Sequence, residues 1–162
     1  MQAHFARQLT LALSTERLNA YKVRLPQSTS DLQLFGRYVW NMALSEGLYP
    51  SVQLLEIALR NTIHRAAGQH FGRESWFDVP AVLQQNHERD AIQKAKIALT
   101  QQNKPHEAAR IVAEVSFGFW TSLLDRRYEQ TLWPKLLKPA FPYMPRALRT
   151  RKELSKRFHA VR

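Results

Sequence analysis

With 162 residues, 44% of them hydrophobic, the chain is long enough for one compact domain with a proper core and short for two. It has no cysteine, which excludes disulfides, thiolate zinc sites and cysteine nucleophiles and fits a reducing compartment. Twenty-four lysines and arginines stand against 13 acids, a net charge of +11 that asks for a polyanionic partner, nucleic acid before an anionic membrane surface.

The N-terminal stretch 1–13 is interrupted by His4, Arg7 and Gln8, and no small-residue cleavage site follows, so it does not read as a signal peptide. No apolar run approaches the roughly 18 residues of a membrane span, so no membrane partner and a cytoplasmic location are expected. Ser14 is placed to cap a short helix over 15–23, with Leu18 and Tyr21 on one side. Pro26 closes it, and Gln27-Ser28-Thr29 reads as a loop. Ser30 is a second N-cap, followed by a helix to about Leu48 whose Leu34, Phe35, Tyr38, Val39 and Met42 recur at three and four. Tyr49-Pro50 predicts a break, with Pro50 in the first turn of a new helix over 51–70. Val52, Leu55, Leu59 and Ile63 stripe that helix, and Gly72 marks its stop.

The aromatic stretch Trp76-Phe77-Asp78-Val79-Pro80 predicts a loop covering a core edge. A polar helix over 86–102 follows, and its small Ala91, Ala95 and Ala98 predict a peripheral position. The next helix spans 105–124, and its stretch from Ile111 to Trp120 is apolar nearly all round, as in the middle of a bundle. Residues 126–142 contain Pro134 and Pro139 and predict short helical pieces, and a last helix is expected over 146–162. No segment alternates like a strand. The fold class expected is all-α, a single-domain helical bundle of four to five main helices over 1–162.

Three clusters carry possible chemistry. Glu56, Arg60 and His64 are spaced four apart on one helix face beside the apolar stripe. They read either as a solvated ion pair or as part of a buried polar network lining an anion site. Glu114, in the all-apolar stretch, needs a cationic partner such as Arg60 or Arg37 if it is buried. It reads as the acid of a register-fixing ion pair before it reads as catalytic, because no second acid has a defined relation to it. The predicted buried network is therefore Glu56, Arg60 and Glu114.

The last helix is the basic feature. Arg146, Arg149, Arg151, Lys152, Lys156, Arg157 and Arg162 face only Glu153, a surplus of six among the chain's eleven. The first six are the predicted RNA-binding residues, through salt-dependent phosphate contacts; the alternative is a solvated face near a chain end. Trp76, Phe77, Trp120 and Trp133 read as core before base-stacking platforms. Six scattered histidines without HExxH or carboxylates at ligand spacing predict no metal site, and no cofactor motif is present.

Three strings in combination carry a family likeness: Tyr38-Val39-Trp40-Asn41-Met42-Ala43-Leu44-Ser45-Glu46-Gly47-Leu48-Tyr49-Pro50; Leu55-Glu56-Ile57-Ala58-Leu59-Arg60-Asn61 with Phe71-Gly72 and Trp76-Phe77; and Val112-Ala113-Glu114-Val115-Ser116-Phe117-Gly118-Phe119-Trp120 with Leu132-Trp133. Together they resemble the bacterial Abi-like (abortive infection) proteins of the HEPN superfamily. The resemblance implies an all-α bundle that dimerises, acting on RNA in a phage-defence or toxin system with an antitoxin as a possible partner. Many such proteins are metal-independent ribonucleases in which an arginine holds the scissile phosphate and a histidine, with four to six residues between them, moves a proton. The resemblance places that motif just beyond the segment matching 154–162, so the expectation is an inactive or weakly active chain. Within the chain, Arg60, Asn61 and His64 are the nearest catalytic candidates, with one residue too few between arginine and histidine. Arg65 and His70 have a permitted spacing but lie roughly 140° apart around a helix. The alternative expectation is a non-catalytic RNA-binding or protein-interaction module.

Overall fold

The computed structural model describes residues 8, 11–23, 26 and 29–161. Most of the N-terminal stretch read against a signal peptide, the expected loop residues Gln27 and Ser28, and Arg162 of the basic stretch lie outside the described residues. The protein is all-α, and no strand occurs among the described residues. No helix among them is long and apolar enough to cross a membrane. The chain divides into two compact units, Met1–Gln53 and Leu54–Arg162.

In the first unit, helix α1 (Thr15–Asn19) begins where expected. The Ser14 hydroxyl accepts from the Arg17 amide at 3.3 Å. The chain then tightens into a 3-10 turn, Ala20–Lys22. Helix α2 (Asp31–Phe71) opens on a reciprocal cap: the Gln33 amide donates to the Ser30 hydroxyl at 3.4 Å, and the Gln33 side chain accepts from the Ser30 amide at 3.0 Å. Leu18 and Leu34 are buried, Tyr21 and Tyr38 meet edge to face at 5.7 Å, and Asn41 donates to the Tyr21 hydroxyl at 3.1 Å.

The break expected at Tyr49-Pro50 is absent: α2 continues through Pro50 to Phe71, 41 residues in all. Proline's fixed φ suits a helix, and its missing N–H forfeits one hydrogen bond. Ending the helix there would free a full set of terminal groups on each side. The boundary between the two units nevertheless falls one turn later, after Gln53.

The second unit holds the main core. Helix α2 stops at Gly72, whose φ of +65° favours glycine, and the Arg73 amide returns to the Gly68 carbonyl at 3.2 Å. Trp76 and Phe77, in a 3-10 turn, are buried inside this core rather than laid over its edge. Helix α3 (Asn86–Gln101) is not peripheral as its alanines suggested. Glu88, Ile92, Ala95 and Leu99 form a buried stripe along it, and the small Ala95 allows close approach to α4 (Ala108–Glu114).

The helix expected over 105–124 is two. Val115 and Ser116 adopt extended backbone between α4 and α5 (Phe117–Ser122). The break rotates the register, so Ile111, Val112, Val115, Phe119, Trp120, Leu123 and Leu124 are buried while Glu114 turns to solvent. A 3-10 turn (Arg126–Tyr128), a π-helical turn (Trp133–Leu137) and a short helix (Lys138–Ala140) follow, as the prolines predicted. Helix α6 (Arg151–Val161) starts five residues later than expected. Thr150 holds its start: its hydroxyl accepts from the Glu153 amide at 3.2 Å. Pro145 instead anchors a turn, its carbonyl accepting from the Leu148 and Arg149 amides.

Candidate nucleic-acid interface

The six predicted RNA-binding residues divide by what holds them. Arg151 is buried: its Nε donates to Glu129 at 2.8 Å and its Nη1 to the Leu124 carbonyl at 2.8 Å. A guanidinium buried in this way ties α6 to the segment around Tyr128 and presents little of itself to a phosphate in solvent. Arg149 wraps back on its own loop, donating to the carbonyls of Pro142 at 2.7 Å and Met144 at 2.8 Å. Arg157 pairs with Glu153 one turn away at 2.7 Å, both partly exposed. Arg149 and Arg151 thus have a role in holding the fold that the sequence did not predict.

Arg146, Lys152 and Lys156 remain, exposed and without an ion pair among the described residues. The sequence reading missed their company. The turn that α6 packs against carries Arg126 and Arg127, both exposed and likewise unpaired among the described residues. The adjacent Arg126-Arg127 pair carries that signal in the sequence, at the head of the stretch whose prolines predict short helical pieces. Between Asp125 and Arg157 there are ten lysines and arginines against three acids, and two of those acids, Glu129 and Glu153, already pair with Arg151 and Arg157.

The predicted buried network is not formed. Glu114 is exposed, Glu56 and Arg60 are half-buried, and no hydrogen bond or ion pair joins the three among the described residues. Arg60 Nε instead lies 3.4 Å from the side-chain oxygen of its neighbour, exposed Asn61. His64 is half-buried, and the Trp76 indole N–H donates to its Nδ1 at 3.0 Å. An indole can only donate, so the neutral ring carries its proton on Nε2. Burial holds the His64 pKa below the ordinary value of 6.5, with Arg60 pressing the same way and Glu74 opposing. A general acid or base needs its partner groups aimed with it. Here Arg60 leans toward Asn61 and His64 is engaged by Trp76.

The buried carboxylate is Glu88, which no pattern singled out. It is 0% exposed in the first turn of α3 and accepts from three donors: the Gln85 amide at 3.2 Å, the Ser122 hydroxyl at 3.0 Å and the Tyr128 hydroxyl. The Gln84 amide donates in turn to the Tyr128 oxygen at 3.0 Å. The helix dipole adds to this, since an acid in the first turn faces its positive end. Burial and the bond to Glu88 raise the Tyr128 pKa above the usual tyrosine range. Ser122 also lines a cleft of about 310 Å³ with His87, Asp125 and His159, where His159 Nε2 lies 3.8 Å from Asp125. At that distance the two do not hydrogen-bond.

Among the described residues, no group of three or more histidine, aspartate or glutamate side chains is arranged to hold a metal. Comparison with protein-family models, with curated proteins and with solved structures gave no match.

Proposed function

We propose that this chain is an Abi-like, HEPN-type helical module of a phage-defence or toxin system that binds RNA through its C-terminal basic stretch. One observation carries the reading: Arg126, Arg127, Arg146, Lys152 and Lys156 stay exposed and unpaired among the described residues, while two of the three nearby acids, Glu129 and Glu153, are paired with Arg151 and Arg157. Such a stretch neutralises phosphates and releases counterions, giving affinity that falls with salt and is indifferent to sequence. The all-α architecture agrees with the family likeness. Binding is favoured over cutting because no hydrogen bond joins His64 to Arg60 or Asn61 among the described residues, and its Nδ1 is taken up by Trp76.

Filter binding of a short single-stranded RNA tests this. Lys152→Glu with Lys156→Glu should weaken binding about tenfold or more and flatten the dependence of log affinity on log salt. Binding unchanged by that double reversal overturns the reading.

A second reading, a protein-interaction module, rests on the first unit. Trp40 and Tyr49 are 71% and 68% exposed on α2, with Met42, Leu44 and Leu48 about half exposed. Large apolar side chains grouped in solvent along one helix mark an interaction surface. The occupant proposed is a second copy of the chain, in line with the dimerisation that the resemblance implies; an antitoxin is the other candidate. Light scattering across a concentration series distinguishes them: a dimer for the first, a monomer for the second.

A further inference from the structure

We infer that two adjoining clefts of the second unit, sharing Arg65 and Gln69, seat one ribonucleotide of a single strand, with its phosphoryl group between Arg65, Arg73 and His64 and its base on Tyr143. The inference rests on the RNA reading but places this contact away from the basic C-terminal helix.

The first cleft has a volume of about 450 Å³ and is lined by His64, Arg65, Gly68, Gly72, Arg73 and Glu74. The second, of about 380 Å³, is lined by Arg65, Gln69, Pro139, Pro142 and Tyr143 among others. Both fall within the range of small-ligand sites. Sequence spacing sets Arg65 one residue after His64 on α2, and the left-handed turn at Gly72 brings Arg73 back to the same cleft. Arg73 is already oriented, because its Nε and Nη2 donate to the Ser75 hydroxyl at 3.0 and 2.7 Å. Arg65 is exposed and unpaired among the described residues. The bond from Trp76 fixes Nδ1 of His64 as acceptor, so the remaining nitrogen is a neutral N–H donor suited to a phosphate oxygen.

Two guanidiniums and one N–H donor match a single phosphoryl group. Glu74 in the same cleft repels a second one and accepts from a sugar hydroxyl, which favours a ribonucleotide unit over a polyphosphate. On the far side of Arg65, Tyr143 is 99% exposed between prolines 142 and 145. A ring that buries nothing of itself adds nothing to the fold. Beside a phosphate-binding arginine it is placed as a stacking surface, which tolerates any base. The chemistry bound is a ribonucleotide phosphate, whether within an RNA strand or as a free nucleotide.

Fluorescence anisotropy with a 3′-labelled short oligo(U), and calorimetry with UMP, test the seat on the full chain. Arg65→Gln should weaken oligo(U) about tenfold and reduce the salt slope by about 0.7, the share of one phosphate. Tyr143→Ala should weaken it about tenfold and leave the salt slope alone. Both positions are exposed, so melting curves should match wild type. UMP bound by wild type and lost in Arg65→Gln, with no oligo(U) binding at all, supports the seat as a free-nucleotide site and overturns the RNA reading. Oligo(U) binding that both variants retain in full overturns the seat and leaves the basic stretch as the RNA contact. Neither probe bound by wild type overturns both.

Discussion

The two units of this chain handle apolar surface in opposite ways. Leu54–Arg162 folds α3, α4, α5 and α6 around six buried aromatics, Trp76, Phe77, Phe119, Trp120, Tyr128 and Trp133, and buries Glu88 with three donors. Met1–Gln53 buries Leu18 and Leu34 and leaves Trp40, Leu48 and Tyr49 in water. The same long helix serves both, so helix formation alone does not decide burial. What decides it is whether enough chain returns to cover the helix. In the second unit Leu59, Ile63 and Ala67 of α2 join a core built with residues from the rest of that unit, whereas among the described residues of the first unit only Leu18 and Leu34 are buried.

That contrast predicts where substitutions hurt. The largest effect belongs to Glu88. Glu88→Ala strands the Tyr128 and Ser122 hydroxyls in the core and should cost about 3–5 kcal/mol in urea unfolding. Glu88→Gln keeps the shape and should cost less. A cost below about 1 kcal/mol for the alanine would show that the second unit does not depend on this cluster. Arg151→Ala, which leaves the Leu124 carbonyl and part of Glu129 unpartnered, should follow at about 2–3 kcal/mol.

Tyr128→Phe removes one donor at nearly constant volume and should cost about 1–3 kcal/mol. It also carries a pH signature. A tyrosine held above its usual value of 10.0 binds its proton more tightly folded than unfolded. Its contribution is therefore complete below pH 10.0 and is lost as pH rises beyond it. The alkaline loss of stability should be shallower in Tyr128→Phe.

His64 gives the opposite limb. Its pKa is lowered in the folded protein, so the unfolded chain takes up the proton first. Stability should be whole above the ordinary value of 6.5 and decline as pH falls beneath it. His64→Gln should flatten that part of the acid limb, measured by unfolding across a pH series. The smallest effect on stability is expected in the first unit. Trp40→Glu with Leu48→Glu should move unfolding by no more than about 0.5 kcal/mol per site and, on the proposal that α2 docks a second copy, should leave a monomer in light scattering. A large loss of stability there would erase the contrast between the units.

The sequence made the helices legible because their signals are local. Ser14, Ser30 and Gly72 cap or stop helices as their types predict, and the aromatic core was recognisable from composition and period. Pro50 misled because a local breaker was weighed without the two flanking helical stretches that override it. Glu114 misled because one helix was assumed through Val115 and Ser116, and the register slipped there. The candidate site was legible only as charge. Counting arginines and lysines marked the C-terminal stretch but could not tell Lys152, which meets solvent, from Arg151, which meets Glu129 and Leu124. That distinction depends on which residues 22 and 27 positions earlier come to lie beside the helix. Glu88 was invisible for the same reason, since its partners lie 34 and 40 residues downstream.

Those separations have a consequence for the order of assembly. Helix α3 can form early from its own turns, but the carboxylate in its first turn acquires its two hydroxyl partners only after the chain through Tyr128 has been made and brought back. Until then, docking that face in any other alignment would strip water from the acid without replacing it, which acts as a kinetic proofreader against misaligned collapse. Stopped-flow measurements on Tyr128→Phe should accordingly show a faster unfolding arm and an almost unaltered refolding arm, the signature of a contact completed after the rate-limiting barrier.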